Sequence, residues 1–435
     1  MNGFRERSAA ICTLGCRVNQ YESQAIAEEL ERRGVKIVKD EGEASVYILN
    51  TCTVTAESDR KARQLLRRLR HHHPDSRVLV TGCLAQRCPD ELLKLGADFV
   101  SGSRSKLEIV RAALRFLDGE QPDDRRSVLP PETLPFEDMR ISRFGRTRAY
   151  LKIEDGCDGH CAYCVIPSVR GNVVSKPRAD VLREAEEIVR RGCREIVLTG
   201  IETSAYQDGL EELIASLGAL DGLDRIRLGS LDPSYMKPER VRRLSQVGKL
   251  MPHFHLSMQA GSDRILRAMR RKYNVSMAKA NFEAIRTYFP HANLTTDIMT
   301  GFPGETDEDF ADTMSLAESV RFLHIHIFTY SRRPGTEAAK LPDLDERVKI
   351  DRAASLGRLQ AGIKAALLEE EVQASRPAEV LFETFDREKG ICVGHSRNFE
   401  EWRVSSQTDL RNTAHIVVPT SQDGEQIEGK LLPAE

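Results

Sequence analysis

Three cysteines in the string Gly156-Cys157-Asp158-Gly159-His160-Cys161-Ala162-Tyr163-Cys164 stand in a C-x3-C-x2-C spacing. Thiolates this close let one loop wrap one face of an iron–sulfur cube, and a 4Fe–4S cube takes four ligands. The loop supplies three, so one iron is left open to a donor that is not protein. Gly156 and Gly159 suit a backbone that folds tightly around a bulky group. The competing readings are a zinc knot and three buried thiols. Zinc sites pair C-x2–4-C with a second Cys/His pair, and His160, inside the loop, is poorly placed for that.

The chain that must position this loop has 435 residues, 30% charged and 40% apolar. That is enough for roughly two to four domains with ample cores. A net charge of −2 gives no global pull toward nucleic acid, so any such contact falls to local patches. Residues 1–10 lack an apolar core, which predicts no signal peptide. No apolar run approaches the ~18 residues of a membrane span. The ten cysteines fall mostly in motif-like strings. They favour metal or redox chemistry in a reducing cytoplasm over a disulfide framework.

Apolar runs at residues 9–14, 46–49 and 78–80, and a weaker one at 99–100, each precede a helix-like segment. This predicts βα units around a parallel sheet. The first three runs lead into Gly15-Cys16, Asn50-Thr51-Cys52 and Gly82-Cys83. Carboxyl ends of strands form the ligand crevice of an open α/β sheet, so Cys16, Cys52 and Cys83 are expected to converge at one sheet edge. Cys12, inside a strand, reads as core, and Cys88 as a weaker competitor ligand. Arg60, Arg63, Arg67 and Arg70, flanked by Lys61 and Arg68, share a helix face opposite Ala62, Leu65, Leu66 and Leu69. That stripe reads equally as a solvated face and as a grip on phosphates. The proline-rich residues 121–142 read as a linker draped over a surface. Arg140, Arg143, Arg146 and Arg148 form a second basic patch.

Six further strand candidates lie at residues 150–153, 195–199, 226–229, 253–258, 294–299 and 324–328, separated by amphipathic helices. The alternation predicts a parallel barrel of six strands rather than eight, with the Cys157 loop on its carboxyl rim. The same rim takes Gly200 and Glu202 after the second strand, Gln259 and Ser262 after the fourth, and Asp297 on the fifth. Glycines there admit a ligand to the backbone, and acids bond amines or hydroxyls. Arg264, Arg267, Arg270, Arg271 and Lys272 make a third basic cluster. Short segments at 379–382, 391–393, 402–404 and 415–418 predict a small terminal β-barrel. There Phe399 and Trp402 are either base-stacking or core aromatics. Residues 376–435 carry seven Lys/Arg against eleven Asp/Glu, the wrong sign for charge-driven phosphate binding. RNA contact is then left to residues such as Arg397 and Arg403, or to the central basic clusters.

The cysteine loop resembles that of the radical S-adenosylmethionine enzymes. Its continuation, with Pro167, Arg170 and Gly171, is similar to the methylthiotransferase family. Residues 13–23, Asn50-Thr51-Cys52 and Gly82-Cys83-Leu84-Ala85-Gln86 resemble the amino-terminal domain of that family. Residues 379–385 and 394–399 resemble its RNA-binding TRAM domain. The resemblance implies an α/β fold with a flavodoxin-like α/β domain over 6–120 and a linker over 121–142. A partial (β/α)6 radical S-adenosylmethionine barrel would follow over 143–373 and a TRAM β-barrel over 376–435.

It also implies two catalytic [4Fe-4S] clusters. One, on Cys157, Cys161 and Cys164, cleaves S-adenosylmethionine to a 5′-deoxyadenosyl radical. The auxiliary one, on Cys16, Cys52 and Cys83, carries the sulfur. Tyr163, Gly200, Glu202, Gln259, Ser262 and Asp297 are the residues expected to bind the S-adenosylmethionine. Gly15-Cys16-Arg17-Val18-Asn19-Gln20-Tyr21-Glu22 looks most like the branch acting on threonylcarbamoyladenosine at tRNA position 37. The isopentenyladenosine branch tends to carry Gly-Cys-Gln-Met-Asn, and the branch acting on a ribosomal-protein aspartate Gly-Cys-Pro-Lys-Asn. The expected reaction puts a methylthio group on adenine C-2. Its expected partners are tRNA, an electron donor such as flavodoxin or ferredoxin and a sulfur source, with no membrane. A two-cluster electron carrier is the reading from another class, and it would not consume S-adenosylmethionine.

Overall fold

The computed structural model describes residues 7–39, 42–145 and 147–432. Residues 6 and 435, which bound the outer expected domains, and Arg146 of the second basic patch lie outside the described residues. The first sheet is built from β1 (Ser8–Thr13), β2 (Lys36–Val38), β3 (Val46–Thr51), β4 (Arg77–Gly82), β5 (Phe99–Ser101) and β6 (Arg126–Ser127). Its order is β2-β1-β3-β4-β5-β6, parallel throughout. The first five strands have the flavodoxin-like doubly wound order. β1, β3 and β4 are buried almost along their length, as strands covered on both faces must be, which is why they read as unbroken apolar runs.

Helix α1 (Arg17–Arg32) leaves the end of β1 and buries Val18, Tyr21, Ala25, Ile26 and Leu30. Helix α2 (Ala56–His72) starts at Thr55, whose side chain accepts the Ser58 amide, a standard N-cap. Helix α3 (Cys83–Arg87) begins directly after β4.

The strands β2 and β6 at the sheet edges are new relative to the sequence reading. They are three and two residues long, too short to show a period. β6 lies within 121–142, so that segment is more than a tether. Its Glu137 carboxylate accepts the Lys106 and Leu107 amides, and the Pro131 carbonyl accepts from Arg104.

The second part holds β7 (Arg148–Lys152), the ribbon of β8 (Glu154–Asp155) and β9 (Val174–Ser175), β10 (Glu195–Thr199), β11 (Arg225–Leu228), β12 (His253–Gln259), β13 (Asn293–Thr300) and β14 (His324–Thr329). Parallel pairing runs β7-β10-β11 and β12-β13-β14, joined by bridges at Ile226–Leu250 and Leu231–Leu256. The six expected strands are all present, as a partial barrel. Phe254, Leu256 and Met258 are buried against the outer helices, whereas the alternate residues His253, His255, Ser257 and Gln259 share the other face of β12. Among the described residues no helix is long and apolar enough to cross a membrane.

A closed five-stranded barrel follows the long helix Glu346–Gln373. It is formed by β15 (Ala378–Asp386), β16 (Ile391–Ser396), β17 (Glu401–Ser405), β18 (Ala414–Gln422) and β19 (Ile427–Leu431), in the order β15-β16-β17-β19-β18. It seals the amino ends of the central strands. Arg225 donates to the His395 and Glu379 carbonyls, and Arg227 to the Ser396 and Arg397 carbonyls. Buried Glu195 gathers Arg148, Arg225 and Arg227, whose charges hold its carboxyl down to about 2 against the opposing effect of burial.

Phe399 stacks on His253 and His395 at centroid distances of 4.4 and 4.6 Å, with Arg148 and Arg227 over its ring. Trp402 is 1% exposed. Both aromatics offered as base-stacking candidates are therefore packing residues. Arg403 is held by Glu428 and Asp423, and Arg397 donates to the Gly248 carbonyl.

Candidate functional site

The first domain sits on the carboxyl rim of the partial barrel, tied there by buried charge. The Glu22 carboxylate of α1 accepts from Arg170 (2.6 Å) and Lys152 (2.8 Å) and lies 3.3 Å from Lys106. Asp155 of β8 takes Lys152 and Arg170 as well. Burial opposes ionisation of Glu22, but these three cations outweigh it and hold the carboxyl well below its ordinary range. Across the rim, Arg333 donates to Asp59 (2.6 Å) and to the Thr53 carbonyl (3.0 Å). Ser331 accepts the Ala56 amide.

These contacts set the two cysteine triads facing the same region. Arg170, fully buried, donates from Nε to Cys83 Sγ (3.3 Å) and from Nη2 to Asn19 (2.9 Å). Cys83 and Cys16 lie close enough to Cys52 to add to the effect of burial in raising its thiol. A Cβ on Gly15 would lie 2.6 Å from Cys52 Cβ and 3.1 Å from its Sγ, so only glycine leaves that sulfur room. In the second triad, a Cβ on Gly159 would fall 3.1 Å from Cys157 Sγ and 3.9 Å from Cys161 Sγ. Backbone amides of Gly159 and Ile166 donate to the Cys157 and Cys164 sulfurs (3.3 and 3.4 Å), and Arg271 Nη1 donates to Cys161 Sγ (3.3 Å). Gly156 adopts φ +89°, and a side chain there would collide with Arg104 and the Asn172 carbonyl.

Burial pushes the Cys52 and Cys164 thiols up to about 12 and the Cys157 thiol to about 11. Cys16 opens into a cavity, yet the protein around it still pushes its thiol up. As bare thiols these groups stay protonated at neutral pH. Coordination to a metal removes the proton.

The donor sets fit iron–sulfur clusters. Each triad presents three sulfurs, with N–H donors aimed at several of them, as cluster ligands are commonly bonded. Beside Cys83, four buried cations, Arg104, Lys106, Lys152 and Arg170, share two carboxylates, Glu22 and Asp155, which leaves positive charge to offset a thiolate-bound cluster. Among the described residues no three His, Cys, Asp or Glu side chains gather about a single metal ion. A cubane instead takes each thiolate on a different iron.

A cavity of about 1160 Å³ separates the first domain from the rim. Gly15, Cys16, Arg17 and Cys52 line one side, and Gly200, His255, Asp297 and His326 the other. Of the residues expected at the cofactor, Gly200 and Asp297 reach this cavity. Glu202 is not among its lining residues, and its carboxylate accepts from Ser204 and from the Asp232 amide. Gln259 ends β12 at a bulge with φ +68°, a left-handed conformation that costs a non-glycine residue energy and that clusters at functional sites. Tyr163 lies within the loop, half-buried near Arg271 and Tyr273. Ser262 is not brought into the cavity, since its hydroxyl donates to Asp309 (2.7 Å).

Several residues at the site escaped the sequence reading. Arg271, read only as part of a basic cluster, is bound to Cys161, Asp232 and Tyr273. Glu154 accepts the Glu202 amide with Oε1, while its Oε2 is buried without a protein partner. Burial, with Asp155 and Glu202 adding repulsion, pushes this carboxyl well above its ordinary range and favours its protonated form. Asp297 accepts from His255 (3.1 Å). Burial opposes its charge, but the hydrogen bond and the nearby imidazoles hold the carboxyl below its usual range. Burial, together with His324 and His255, pushes His326 down to about 4. A period-two H-x-H in both β12 and β14 was the available signal.

Residues 151–317 match the Radical SAM superfamily, and residues 8–102 match the Uncharacterized protein family UPF0004. The chain is 35% identical to the threonylcarbamoyladenosine tRNA methylthiotransferase MtaB of Bacillus subtilis, over 90% of this chain and 89% of that one. It is likewise 35% identical to a tRNA-2-methylthio-N(6)-dimethylallyladenosine synthase of Cereibacter sphaeroides, over 98% and 96%. Among solved structures it resembles the radical S-adenosylmethionine methyltransferase TsrM of Kitasatospora setae, with a TM-score of 0.59 at 14% identity over 77% of each chain, a likeness of fold. With relatives this similar along most of its length, the chain belongs to the radical S-adenosylmethionine methylthiotransferase family.

Proposed function

We propose that this enzyme replaces the C-2 hydrogen of N6-threonylcarbamoyladenosine at position 37 of tRNAs with a methylthio group, in the cytoplasm. The product is 2-methylthio-N6-threonylcarbamoyladenosine. The observation that carries the reading is the cavity bounded by Cys16 and Cys52 on one side and by Gly200 and Asp297 on the other. It is large enough for a modified nucleoside, which would be held between the two cysteine triads. The choice of nucleoside rests on the string from Gly15 to Glu22 and on the relatives named for threonylcarbamoyladenosine. Cys157, Cys161 and Cys164 would hold one [4Fe-4S] cluster, and Cys16, Cys52 and Cys83 the other. Bound there, the clusters and S-adenosylmethionine supply the radical that removes hydrogen from an sp2 carbon, and the sulfur and methyl that replace it.

The residues of the chain contribute placement and charge. Gly200 admits a ligand to the backbone of the rim, and Glu202, Gln259 and Asp297 offer acceptors for amino and hydroxyl groups. Arg271 and Arg170 direct donors at one sulfur of each triad. The closed contacts through Arg333 and Ser331 keep water from part of the cavity mouth. A reductant such as flavodoxin or ferredoxin and a sulfur source complete the reaction.

One specific observation favours a second substrate. Val54 and Phe328 are exposed apolar side chains on the cavity wall, which suit an isopentenyl tail, and relatives named for that nucleoside are equally similar. Mass spectrometry of tRNA nucleosides from cells with and without the gene tests both. Loss of 2-methylthio-threonylcarbamoyladenosine, with its precursor accumulating, supports the proposal. Loss of only the isopentenyl derivative transfers the assignment to the second substrate. An unchanged nucleoside pool refutes both.

A further inference from the structure

Four cations line the cavity: Arg17, Lys61, Arg332 and Lys349. Three are already matched by carboxylates. Lys61 lies 3.8 Å from Glu57, Arg332 3.9 Å from Asp343, and Lys349 2.9 Å from Asp343 and 3.2 Å from Glu346. Arg17 is the exception among the described residues. It is half-buried, its guanidinium stands 5.7 Å from the centroid of the Tyr150 ring, and no carboxylate lies within ion-pair distance. It follows Cys16 directly and opens α1, whose first turn has no acidic residue and no side-chain cap. The positive end of that helix therefore adds to the guanidinium rather than offsetting it. On the facing wall the Asp297 carboxylate is engaged by His255 and makes no ion pair with Arg17, so among the described residues Arg17 presents an unpaired charge to this end of the cavity.

We propose that Arg17 is a specificity residue that binds the carboxylate of the threonylcarbamoyl group, holding the adenine beside Cys16. This rests on the function proposed above and adds to it the group that is read. A planar guanidinium takes a carboxylate through two parallel hydrogen bonds. An isopentenyl substituent has no anion to offer, so it would leave the Arg17 charge half-buried and unmatched. Discrimination by a missing polar partner is stronger than discrimination by shape alone.

The test uses the reconstituted holoenzyme and anticodon stem-loop RNAs carrying threonylcarbamoyladenosine, its carboxamide analogue or isopentenyladenosine. Turnover of the threonylcarbamoyl RNA by the parent enzyme establishes the substrate independently of Arg17. If the parent instead modifies only the isopentenyl RNA, the functional assignment fails and this inference with it. Given turnover, the parent should lose kcat/KM on the carboxamide by on the order of 100-fold, the scale of removing one partner from a buried charge pair. Arg17→Gln should lose as much on the acid and show no further loss on the carboxamide. Arg17→Lys should recover part of it. Equilibrium binding of the same RNAs without S-adenosylmethionine should follow the same ranking. If the parent turns over acid and carboxamide equally, or if Arg17→Gln loses both in proportion, Arg17 does not read the carboxylate. The parent-enzyme comparison decides this even if the variant fails to load iron.

Discussion

Replacing Arg170 with methionine removes a side chain that bonds Glu22, Asn19 and Cys83 of the first domain and Asp155 of the second. The guanidinium donates to Glu22, Asp155, Asn19 and Cys83 Sγ and has no exposed surface. Breaking a buried ion network by removing one partner typically costs about 3–5 kcal/mol. Here Arg104, Lys106 and Lys152 remain within reach of the two carboxylates, so neither carboxylate is left without a cation and the loss should lie at the lower end, about 3 kcal/mol. For a domain of this size that lowers the melting temperature of the apo-protein by on the order of 10 °C. Arg170→Lys keeps the charge but not the fork, and should fall between variant and parent.

The second readout is redox, measured in a chain whose Cys157, Cys161 and Cys164 are alanine, so that only the other triad can carry a cluster. Reduction adds negative charge, which a donor at Cys83 Sγ stabilises, so losing Arg170 should lower the midpoint potential. A donor worth about 1.4 kcal/mol more to the reduced state corresponds to about 60 mV for one electron. Arg271→Met in the complementary chain, without Cys16, Cys52 and Cys83, should do the same through Cys161. An Arg170→Met chain that melts with its parent and keeps its parent's potential would refute the argument for both roles.

Three further outcomes are expected. Glu400 is buried near Glu371, which together push its carboxyl up to about 7. The folded state therefore holds a proton that the unfolded chain, titrating near 4.3, releases. Stability should fall by about 4 kcal/mol as pH rises between those values and then level off. Thermal melts of Glu400→Gln, which should lack this slope, check it. Phe399→Ala removes the ring packed between His253 and His395 and should weaken the seal under the central barrel by about 2 kcal/mol, less than a fully buried phenylalanine. Faster proteolysis between Ser375 and Ala378 would report it. Gly156→Ala places a side chain against Arg104 at φ +89°, and its iron content should fall from about eight to about four per chain, whereas Cys193→Ser should keep the full complement.

The parts readable from sequence are those in which local pattern and tertiary role coincide. β1, β3 and β4 are buried on both faces, so their apolar runs announced them. The cysteines that follow them fell at one sheet edge because strand ends in a parallel sheet point the same way. The six central strands were found for the same reason. β2, β6 and β19 were not, being short or half-exposed, and so carrying no period. Arginines were the systematic failure. Arg170 stood out only as part of a motif and Arg271 only as part of a basic cluster, and the fold alone shows that Glu22, Asp155 and Asp232 wait for them inside. Phe399 was left open between base stacking and core packing. It sits in an exposed-looking Arg-Asn-Phe turn at φ +74°, and its burial comes from a neighbouring domain that the local sequence does not reveal.

The domain arrangement has a consequence for how a substrate can be held. The crevice of a doubly wound sheet and the active rim of a parallel barrel both lie at the carboxyl ends of strands, and the chain docks these two ends against each other. The cavity, lined by Cys16 and Cys52 of the first triad, therefore lies at the carboxyl side of β7 to β14, while the closed terminal barrel is fixed at the amino side through Arg225, Arg227 and Phe399. β12 alone is seven residues long, so at about 3.3 Å per residue the two ends are about 20 Å apart. A ligand that contacts both must run along the flank of the central barrel while placing one residue in the cavity. A short peptide or a lone nucleoside cannot do so. A folded RNA with a protruding loop can, provided its phosphates meet cations left unpaired on that flank. Arg267 and Lys272 are exposed there, whereas Arg264 is taken by Asp309. Charge reversal at Arg267 and Lys272 should thus raise KM for tRNA while leaving S-adenosylmethionine cleavage without RNA intact, and an unchanged KM would place the RNA on another face.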